Sequence, residues 1–384
     1  MLNFCMAKTA EFSLIVVGSG FTGMTVAYKF AELTKKKVLV IESRSHLGGN
    51  SYSFSDPKTS IEIHKYGSHL FHTSNIKVKE FINMFSSFND YRHTVRTVYN
   101  GKVYSFPINL LTISEYFGKY YSPNEAKNLI NSKKIFINSP KNFEEKALSE
   151  IGPELYQAFF KGYTQKQWQI DPTLLPAEVF GRLPIRFTYN DRYFKDTFEG
   201  IPIDGYGKIF EKMLSHPNIK ILTDKDFLKL DIAPNANQII FYTGAIDKYF
   251  KFKFGYLTWR TLDFEWQHLE IEDFQGTSVV NYADLKIPYT RIHEFKHLTP
   301  ERKMIQGTVI AKEFSRLSQG LDEPYYPVNT RDDKNILKKY RNLALLEKNI
   351  FFGGRLGRYQ YLDMHMAIAS GLKFSEEICE EFKK

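Results

Sequence analysis

One run constrains this chain more than any other: the apolar stretch Leu14-Ile15-Val16-Val17 leads straight into Gly18-Ser19-Gly20-Phe21-Thr22-Gly23. A short continuous apolar run reads as a strand buried on both faces, as in a parallel sheet. Beyond the glycines, Phe21, Met24, Ala27, Phe30 and Ala31 recur at helical spacing, and Val38-Leu39-Val40-Ile41 predicts a second buried strand ending at Glu42. Strand, glycine turn, helix and strand make a βαβ unit. In such a unit Gly18 makes the tight turn, Gly20 lets the backbone approach a pyrophosphate, and Gly23 lets helix and strand pack closely. The helix start offers unbonded N–H groups and a partial positive charge to the phosphates. Glu42 lies 24 residues after Gly18, near the usual spacing of about 20, where a carboxylate accepts ribose hydroxyls and disfavours a 2′-phosphate. The run therefore predicts a dinucleotide site and speaks against NADP.

The chain has 384 residues, enough for two or three compact units, since single cores rarely grow past roughly 250–300 residues. Hydrophobic residues at 43% and charged residues at 25% exclude a mostly disordered chain. No apolar run approaches the roughly 20 residues that cross a bilayer, and the opening Met1 to Ala10 lacks a basic start before a long apolar stretch. A protein that is neither exported nor membrane-spanning is expected. Cys5 and Cys379 lie near opposite ends and outside any Cys-x-x-Cys spacing, a usage that favours a reducing cytoplasm. The formal charge of +9 by itself suits nucleic acid, an anionic membrane face or a small polyanionic ligand. Its basic residues are spread along the chain, as on a solvated surface.

Later segments change character. Thr94 to Phe106 holds Asn100-Gly101 between runs of β-branched and aromatic residues, a strong hairpin signal. Ser122-Pro123 predicts a helix N-cap and first-turn proline, and Asn142 to Trp168 reads as helix broken near Gly152-Pro153. Short strands are expected again from Phe252 to Ile310, including Ser278 to Tyr282 and Tyr289 to Phe295. Asn349 to Gly354 predicts one more buried strand and glycine turn, followed by a helix with Met364, Ala367, Ile368, Gly371 and Leu372 on one face. The C-terminus is thus expected to return to the first domain. No internal repeat or low-complexity linker occurs.

After the second strand, Arg44-Ser45-His46-Leu47-Gly48-Gly49-Asn50 resembles the second glycine signature of the FAD-containing amine oxidase-like class, which implies FAD rather than NAD. Between His64 and Thr73 the chain reads His-Lys-Tyr-Gly-Ser-His-Leu-Phe-His-Thr. Three histidines so close suit a metal or a surface loop when taken alone, although nothing nearby has a typical zinc spacing. With Leu47 to Asn50 before it, the stretch resembles the flavin-facing histidine loop of bacterial UDP-galactopyranose mutases, except that Ser68 stands where that family usually has proline. Further blocks extend the resemblance in order: Phe159 to Trp168, Arg182 to Phe187, Tyr193-Phe194, Pro288 to Ile292, Pro324 to Pro327, and Gly354 to Met364. It runs from about residue 12 to about residue 375.

The resemblance implies an isomerase, active with reduced FAD, that interconverts UDP-galactopyranose and UDP-galactofuranose for cell-surface galactofuranose-containing polysaccharide. In that family N5 of reduced flavin bonds covalently to the sugar's anomeric carbon, UDP leaves, and the opened sugar recloses in the other ring size with no net redox change. A departing diphosphate needs fixed cations, and arginine's planar fork suits phosphate oxygens better than lysine's point charge. By the match, Arg182 and Arg291 carry this duty, with His69 and His72 also catalytic. Phe159, Phe160 and Tyr163 are expected on the uracil side, Trp168, Thr164 and Asn281 along ribose and phosphate, and Tyr193, Tyr326 and Tyr361 as hydroxyl donors to the diphosphate. The FAD contacts it implies are Gly18, Gly20, Thr22, Gly23, Glu42, Ser43, Gly49, Asn50, His69, Leu70, Asp226, Phe227, Arg355, Asp363, Met364, His365, Ala367 and Ile368. It implies no metal, and gives no role to Arg358, Gln360 or His93, where the family often has asparagine. The segment near Arg182, with its Leu183-Pro184 break, is expected to close on the UDP-sugar as a lid.

The expected fold is α/β: a discontinuous Rossmann-like FAD-binding domain (11–85, 201–250 and 341–384) with a helical insertion and an antiparallel β-sheet domain. The insertion is the substrate-contact unit 107–170, the sheet domain takes the hairpin 86–106 and residues 251–340, and 171–200 holds the mobile loop and a sheet segment. A homodimer with no nucleic-acid or membrane partner is expected. The alternatives are an FAD-dependent oxidoreductase of the amine oxidase-like class, a mutase acting on UDP-N-acetylgalactosamine, and a basic nucleic-acid-binding protein that keeps FAD as a remnant.

Overall fold

The computed structural model describes residues 9, 11–182, 185–230, 232, 238–301, 306–320 and 322–381. In chain order the strands of its two large sheets are β1 (Leu14–Val17), β2 (Val38–Ile41), β3 (Val95–Tyr99), β4 (Lys102–Phe106), β5 (Ile219–Leu222), β6 (Ile239–Tyr242), β7 (Trp259–Leu269), β8 (Val279–Tyr282), β9 (Arg291–Glu294), β10 (Thr308–Leu317), β11 (Tyr326–Pro327) and β12 (Ile350–Phe352).

Five strands form a parallel sheet in the order β12-β6-β1-β2-β5. Every residue of β1, β2 and β6 is buried, because both faces of the sheet are covered. Side chains alternate between the two covers. Leu14, Val16, Val38 and Val40 meet Met24, Ala27 and Phe30 of helix α1 (Phe21–Thr34), whereas Ile15, Val17, Leu39 and Ile41 face a second apolar cluster with Phe227 and Tyr242.

Seven strands form the other sheet, in the order β11-β7-β10-β9-β8-β3-β4. Its pairings are antiparallel save one: β8 lies parallel to β3, with Val280 opposite Arg96. This is the expected antiparallel sheet, and its one parallel pair has a topological cause. No hairpin joins β3 to β8; a long crossover does, and crossovers return the chain in the same direction. The β3–β4 hairpin turns at Asn100 (φ 49°) and Gly101 (φ 71°), the two positive angles its tight turn requires. Strands β7 and β10, expected to be short, span 11 and 10 residues. They pair with each other from Arg260↔Leu317 to Leu269↔Thr308, so the outer half of β7 is held by its partner rather than by burial.

The helix Phe143–Tyr156, packed against the larger sheet's cluster, bends at Gly152 (φ 78°, ψ 169°) before Pro153, as the sequence predicts. It then passes through a π-helical turn, Gln157–Lys161, into helix α2 (Gly162–Trp168). That turn was not anticipated: one extra residue in a turn leaves no periodic trace, and such turns gather at functional sites. The C-terminal helix α3 (Met364–Glu381) packs on α1, where a Cβ at Gly371 would sit 3.0 Å from Thr22 O and 2.8 Å from Thr25 Cβ. Thr22 Oγ1 donates to Ala367 O at 3.2 Å and Ile368 is fully buried in this contact. Among the described residues, no helix is long and apolar enough to cross a membrane.

Candidate active site

At the carboxyl end of the parallel sheet the three loop glycines meet different surroundings. Gly18 has φ 99° and an added Cβ would lie 2.2 Å from Thr243 Oγ1; at Gly23 it would lie 2.1 Å from Gly18 O; at Gly20 it would meet nothing within 4 Å. Gly18 and Gly23 are therefore fixed by packing, and Gly20 borders open space. Helix α1 starts there with no side-chain cap, which leaves its first-turn N–H groups available to an anion. Glu42 Oε2 accepts from Ser19 N (2.8 Å) and Ser19 Oγ (2.7 Å), while Oε1 accepts from Arg44 N (2.9 Å) and Ser43 Oγ (3.3 Å). The acidic strand end and the glycine loop are thereby one unit. Gly49 comes against Gly20, Arg44 Nη2 donates to Asn50 Oδ1 at 2.9 Å, and Arg44 Nη1 is buried without a partner. Lys225 N donates to Glu42 O at 3.0 Å, which brings the Asp226 turn to the same edge; Phe227 itself is buried in the core. The gap beside Gly20, the uncapped helix start and the spare guanidinium nitrogen fit a dinucleotide pyrophosphate.

The histidine loop closes one side of a cavity of about 360 Å³. His69 Nδ1 lies 2.7 Å from Gly67 O. A carbonyl only accepts, so the proton sits on Nδ1 and Nε2 keeps a lone pair. Burial pulls the pKa of His69 down to about 4, so the ring is neutral. His69 N donates to His64 Nδ1 at 3.0 Å, and Tyr206 Oη donates to His69 O at 3.0 Å. His72 Nδ1 donates to Asp196 Oδ2 at 2.6 Å, and its ring stacks on Phe194 at 3.7 Å and meets His365 edge-on at 4.7 Å. His72, Asp363 and His365 bring ligand atoms within 4.8 Å of one another, but His72 is already bonded to Asp196 and Asp363 accepts the Tyr361 hydroxyl at 2.7 Å.

Opposite the loop, Glu313 of β10 is the buried anchor. Its Oε2 accepts from His293 Nε2 at 2.9 Å, its Oε1 accepts from Thr290 Oγ1 at 3.1 Å, and Arg291 Nε pairs with Oε1 at 3.2 Å. Burial pushes this carboxyl up, yet Arg291 and His293 more than offset it and hold it well below the usual carboxylate range. With its Nε2 proton given to Glu313, neutral His293 accepts at Nδ1, and Ser68 Oγ donates there at 2.8 Å. Ser68 thus ties the histidine loop to the arginine strand, which a proline at that position has no group to do.

Arg291 Nη2 donates to Tyr163 Oη, and its guanidinium lies 5.8 Å from the Tyr163 ring centre. Burial raises the pKa of Tyr163, Tyr326 and Tyr361, so their hydroxyls stay protonated and able to donate. Arg355 donates to Tyr325 O at 3.1 Å and Leu362 O at 2.8 Å, which sets it over the Tyr361 ring at 5.3 Å. Asn281 Oδ1 and Gln167 Oε1 line the cavity and are buried without partners, which costs free energy unless a ligand supplies donors.

The cavity gathers His69, Leu70, His72, Phe159, Phe160, Tyr163, Thr164, Trp168, Tyr193, Asn281, Arg291, Tyr326, Arg355, Tyr361, Asp363 and Met364 around one space. Phe159 is also core, meeting the Tyr104 ring edge-on at 5.1 Å. Gly18, Gly20, Thr22, Gly23, Glu42, Ser43, Gly49, Asn50 and Asp226 lie instead around the sheet end, and Ala367 and Ile368 pack on α1. The backbone of Arg182 closes the 3₁₀ turn Ala177–Arg182, but its side chain, with Leu183 and Pro184, lies outside the described residues, so the expected lid has no structural account. Glu313, His293 and Ser68 were missed as site residues. A signal existed for one of them: Glu313 is in phase with Val309, Ala311 and Ser315 on the inward face of its strand, where an acid needs a partner.

A family model described as UDP-galactopyranose mutase matches residues 158–361, and one described as an NAD(P)-binding Rossmann-like domain matches residues 16–85. A probable UDP-galactopyranose mutase of Klebsiella pneumoniae is 44% identical over 366 residues, covering 95% of this chain and 94% of that protein. The dTDP-fucopyranose mutase of Escherichia coli is 43% identical over 368 residues, covering 94% and 97%. A crystal structure of reduced UDP-galactopyranose mutase aligns with TM-score 0.74 at 14% identity, covering 97% of this chain and 94% of that one, a likeness of fold. With its sequence matched along nearly its whole length, the chain belongs to the UDP-galactopyranose mutase family.

Proposed function

We propose that the protein interconverts the pyranose and furanose forms of UDP-galactose while holding reduced FAD beside the sugar. The observation that carries this reading is the setting of Arg291: anchored by buried Glu313, it opens into a cavity with Tyr163, Tyr193, Tyr326 and Tyr361, beside the histidine loop. A fixed cation and several hydroxyl groups suit a diphosphate that gains a negative charge as its bond to the sugar breaks. In the family chemistry, a bound reduced flavin supplies a nucleophilic nitrogen toward the anomeric carbon.

The remaining work falls to the chain. Arg291, with Arg182 by the family match, holds the departing UDP; Tyr193 and Tyr326 donate to its diphosphate, joined by Tyr361 once its hydroxyl turns from Asp363; Tyr163 and Phe159 receive uracil; Trp168, Thr164 and Asn281 hold the ribose side. Neutral His69 presents an acceptor nitrogen to the flavin, and Asp196 fixes the orientation of the His72 ring beside it. Arg355 and the start of α3, at Asp363 and Met364, face the same cofactor. A homodimer in the cytoplasm, feeding galactofuranose-containing polysaccharide, belongs to this reading.

The near-equal likeness to the dTDP-fucopyranose mutase favours dTDP-fucose as the second substrate to try. The test is to reduce the flavin-loaded protein once, add UDP-galactofuranose or dTDP-fucofuranose in separate reactions, and look for the pyranose. Conversion of the galactose compound without continuing consumption of reductant is expected. Reductant or oxygen consumed at every turnover would instead identify an oxidoreductase.

A further inference from the structure

Lys166 projects from α2 one turn beyond Tyr163, and its ammonium donates to four backbone carbonyls: Tyr282 at 2.6 Å, and Asp284, Ile287 and Tyr289 at 2.9 Å each. All four belong to the end of β8 and the turn that joins it to β9. An ammonium has three N–H groups, so one hydrogen is shared between two oxygens. Carbonyl dipoles aimed at a single centre repel one another unless a cation occupies it, and a lysine nitrogen is a compact point charge suited to that place. The approach is close by construction: a Cβ on Gly162, one turn before Lys166, would lie 2.2 Å from Ala283 O. The acidic group of the turn, Asp284, accepts from Asn100 N at 2.9 Å, so backbone oxygens rather than a carboxylate hold the ammonium. Burial lowers the pKa of Lys166 to about 8, and the charge of Asp284 opposes that shift.

The two elements joined here carry different parts of the cavity. Tyr163, Thr164 and Trp168 come from α2; Asn281 precedes the turn and Arg291 follows it. We propose that Lys166 is a positioning residue that gathers the β8–β9 turn onto α2 and so sets Arg291 against Tyr163 for nucleotide binding. It touches no reacting atom. The proposal rests on the reading of this cavity as a nucleotide-sugar site.

The test measures UDP binding by calorimetry to the flavin-loaded wild type and to its Lys166→Met and Lys166→Arg variants, with the flavin absorbance spectrum as control. K166M is expected to keep the wild-type spectrum and to bind UDP roughly 10- to 100-fold more weakly, the scale of a misplacement of about 1 Å, and K166R to regain most of that loss. Unchanged UDP affinity in K166M overturns the proposal, as does a K166R no better than K166M. If K166M does not retain flavin, Lys166→Gln takes its place, and loss of flavin there too overturns the proposal, since the lysine would then support the fold at large. A wild type that binds flavin but no UDP removes the nucleotide reading, and this proposal with it.

Discussion

Arg291 and Glu313 form an asymmetric pair: Nε lies 3.2 Å from Oε1, with the carboxylate side chain 3% exposed and the guanidinium side chain 28% exposed. Both side chains lie on the same face of the sheet and line the cavity, the anion almost fully buried and the cation more open to it. Held by Glu313 at Nε and by Tyr163 at Nη2, the guanidinium keeps a fixed orientation toward a ligand, and little reorganisation is needed when charge develops there. Lysine cannot copy this, because it lacks the planar fork. Arg291→Lys should keep flavin bound and lower kcat/KM for UDP-galactofuranose by about 100- to 1,000-fold, the usual loss for one charge-stabilising donor. Steady-state kinetics at saturating reductant read the outcome, and near-wild-type rates would remove Arg291 from the proposed site.

Glu313→Gln tests the anchor separately. The amide keeps the shape but not the charge, so Arg291 loses its partner and His293 its strongest acceptor. Breaking one side of a buried charge pair costs about 3–5 kcal/mol where the cation stays buried; the open face of Arg291 lets water relieve part of that. A lower melting temperature together with a raised KM is expected, and a variant matching the wild type in both would show that the pair does not orient the arginine.

Ser68→Ala removes the hydroxyl that donates to His293 Nδ1. The acceptor then keeps only the longer bond from the residue's own backbone N–H at 3.4 Å, so the cost falls toward the lower end of the about 1–3 kcal/mol of an unsatisfied buried group. The melting temperature should fall accordingly, while flavin affinity, set mainly at the glycine loop, should change little. An unchanged melting temperature would mean that the histidine loop is held without this bond.

Four histidines, His64, His69, His93 and His293, are pushed below the usual imidazole range by burial, with His69 at about 4 and His93 at about 3. The unfolded chain protonates each near 6.5, while the native chain resists protonation of His69 until about 4 and of His93 until about 3, with His64 and His293 shifted in the same direction, so the unfolded state binds more protons below 6.5. Stability is therefore full above pH 6.5 and is lost as pH falls toward 4, with a slope of up to about 1.4 kcal/mol per pH unit for each fully neutral histidine. Urea midpoints at pH 7, 6 and 5 should decline in that order. His93→Asn should flatten the slope by about one proton. Equal midpoints at pH 7 and 5 would contradict the neutral assignment.

Gly20 and Gly23 predict opposite phenotypes. An added methyl at Gly20 meets no protein atom, whereas at Gly23 it would lie 2.1 Å from Gly18 O. Gly20→Ala should leave the melting temperature of flavin-free protein unchanged and reduce flavin occupancy. Gly23→Ala should lower the melting temperature of that same flavin-free protein. The reverse pattern would show that the space beside Gly20 is not where the cofactor's phosphates lie.

Local patterns carried a good part of this structure. The β1–α1–β2 unit, the Asn100-Gly101 hairpin, the break at Gly152-Pro153 and the final helix are all written in short-range periods and turn chemistry, which act over a few residues and so survive in a one-dimensional reading. The family resemblance brought in most of the residues that line the cavity. Only the tertiary structure decided the rest. Strand β8 lies parallel to β3 because of a crossover of well over a hundred residues, and no local pattern records that direction. Glu313 meets His293 and Arg291, and Ser68 reaches His293, across three separate segments, and Lys166 finds its carbonyls more than a hundred residues away. Backbone carbonyls carry no sequence identity, so a lysine that binds them looks from the sequence like any solvated lysine, and its role depends on where the chain returns.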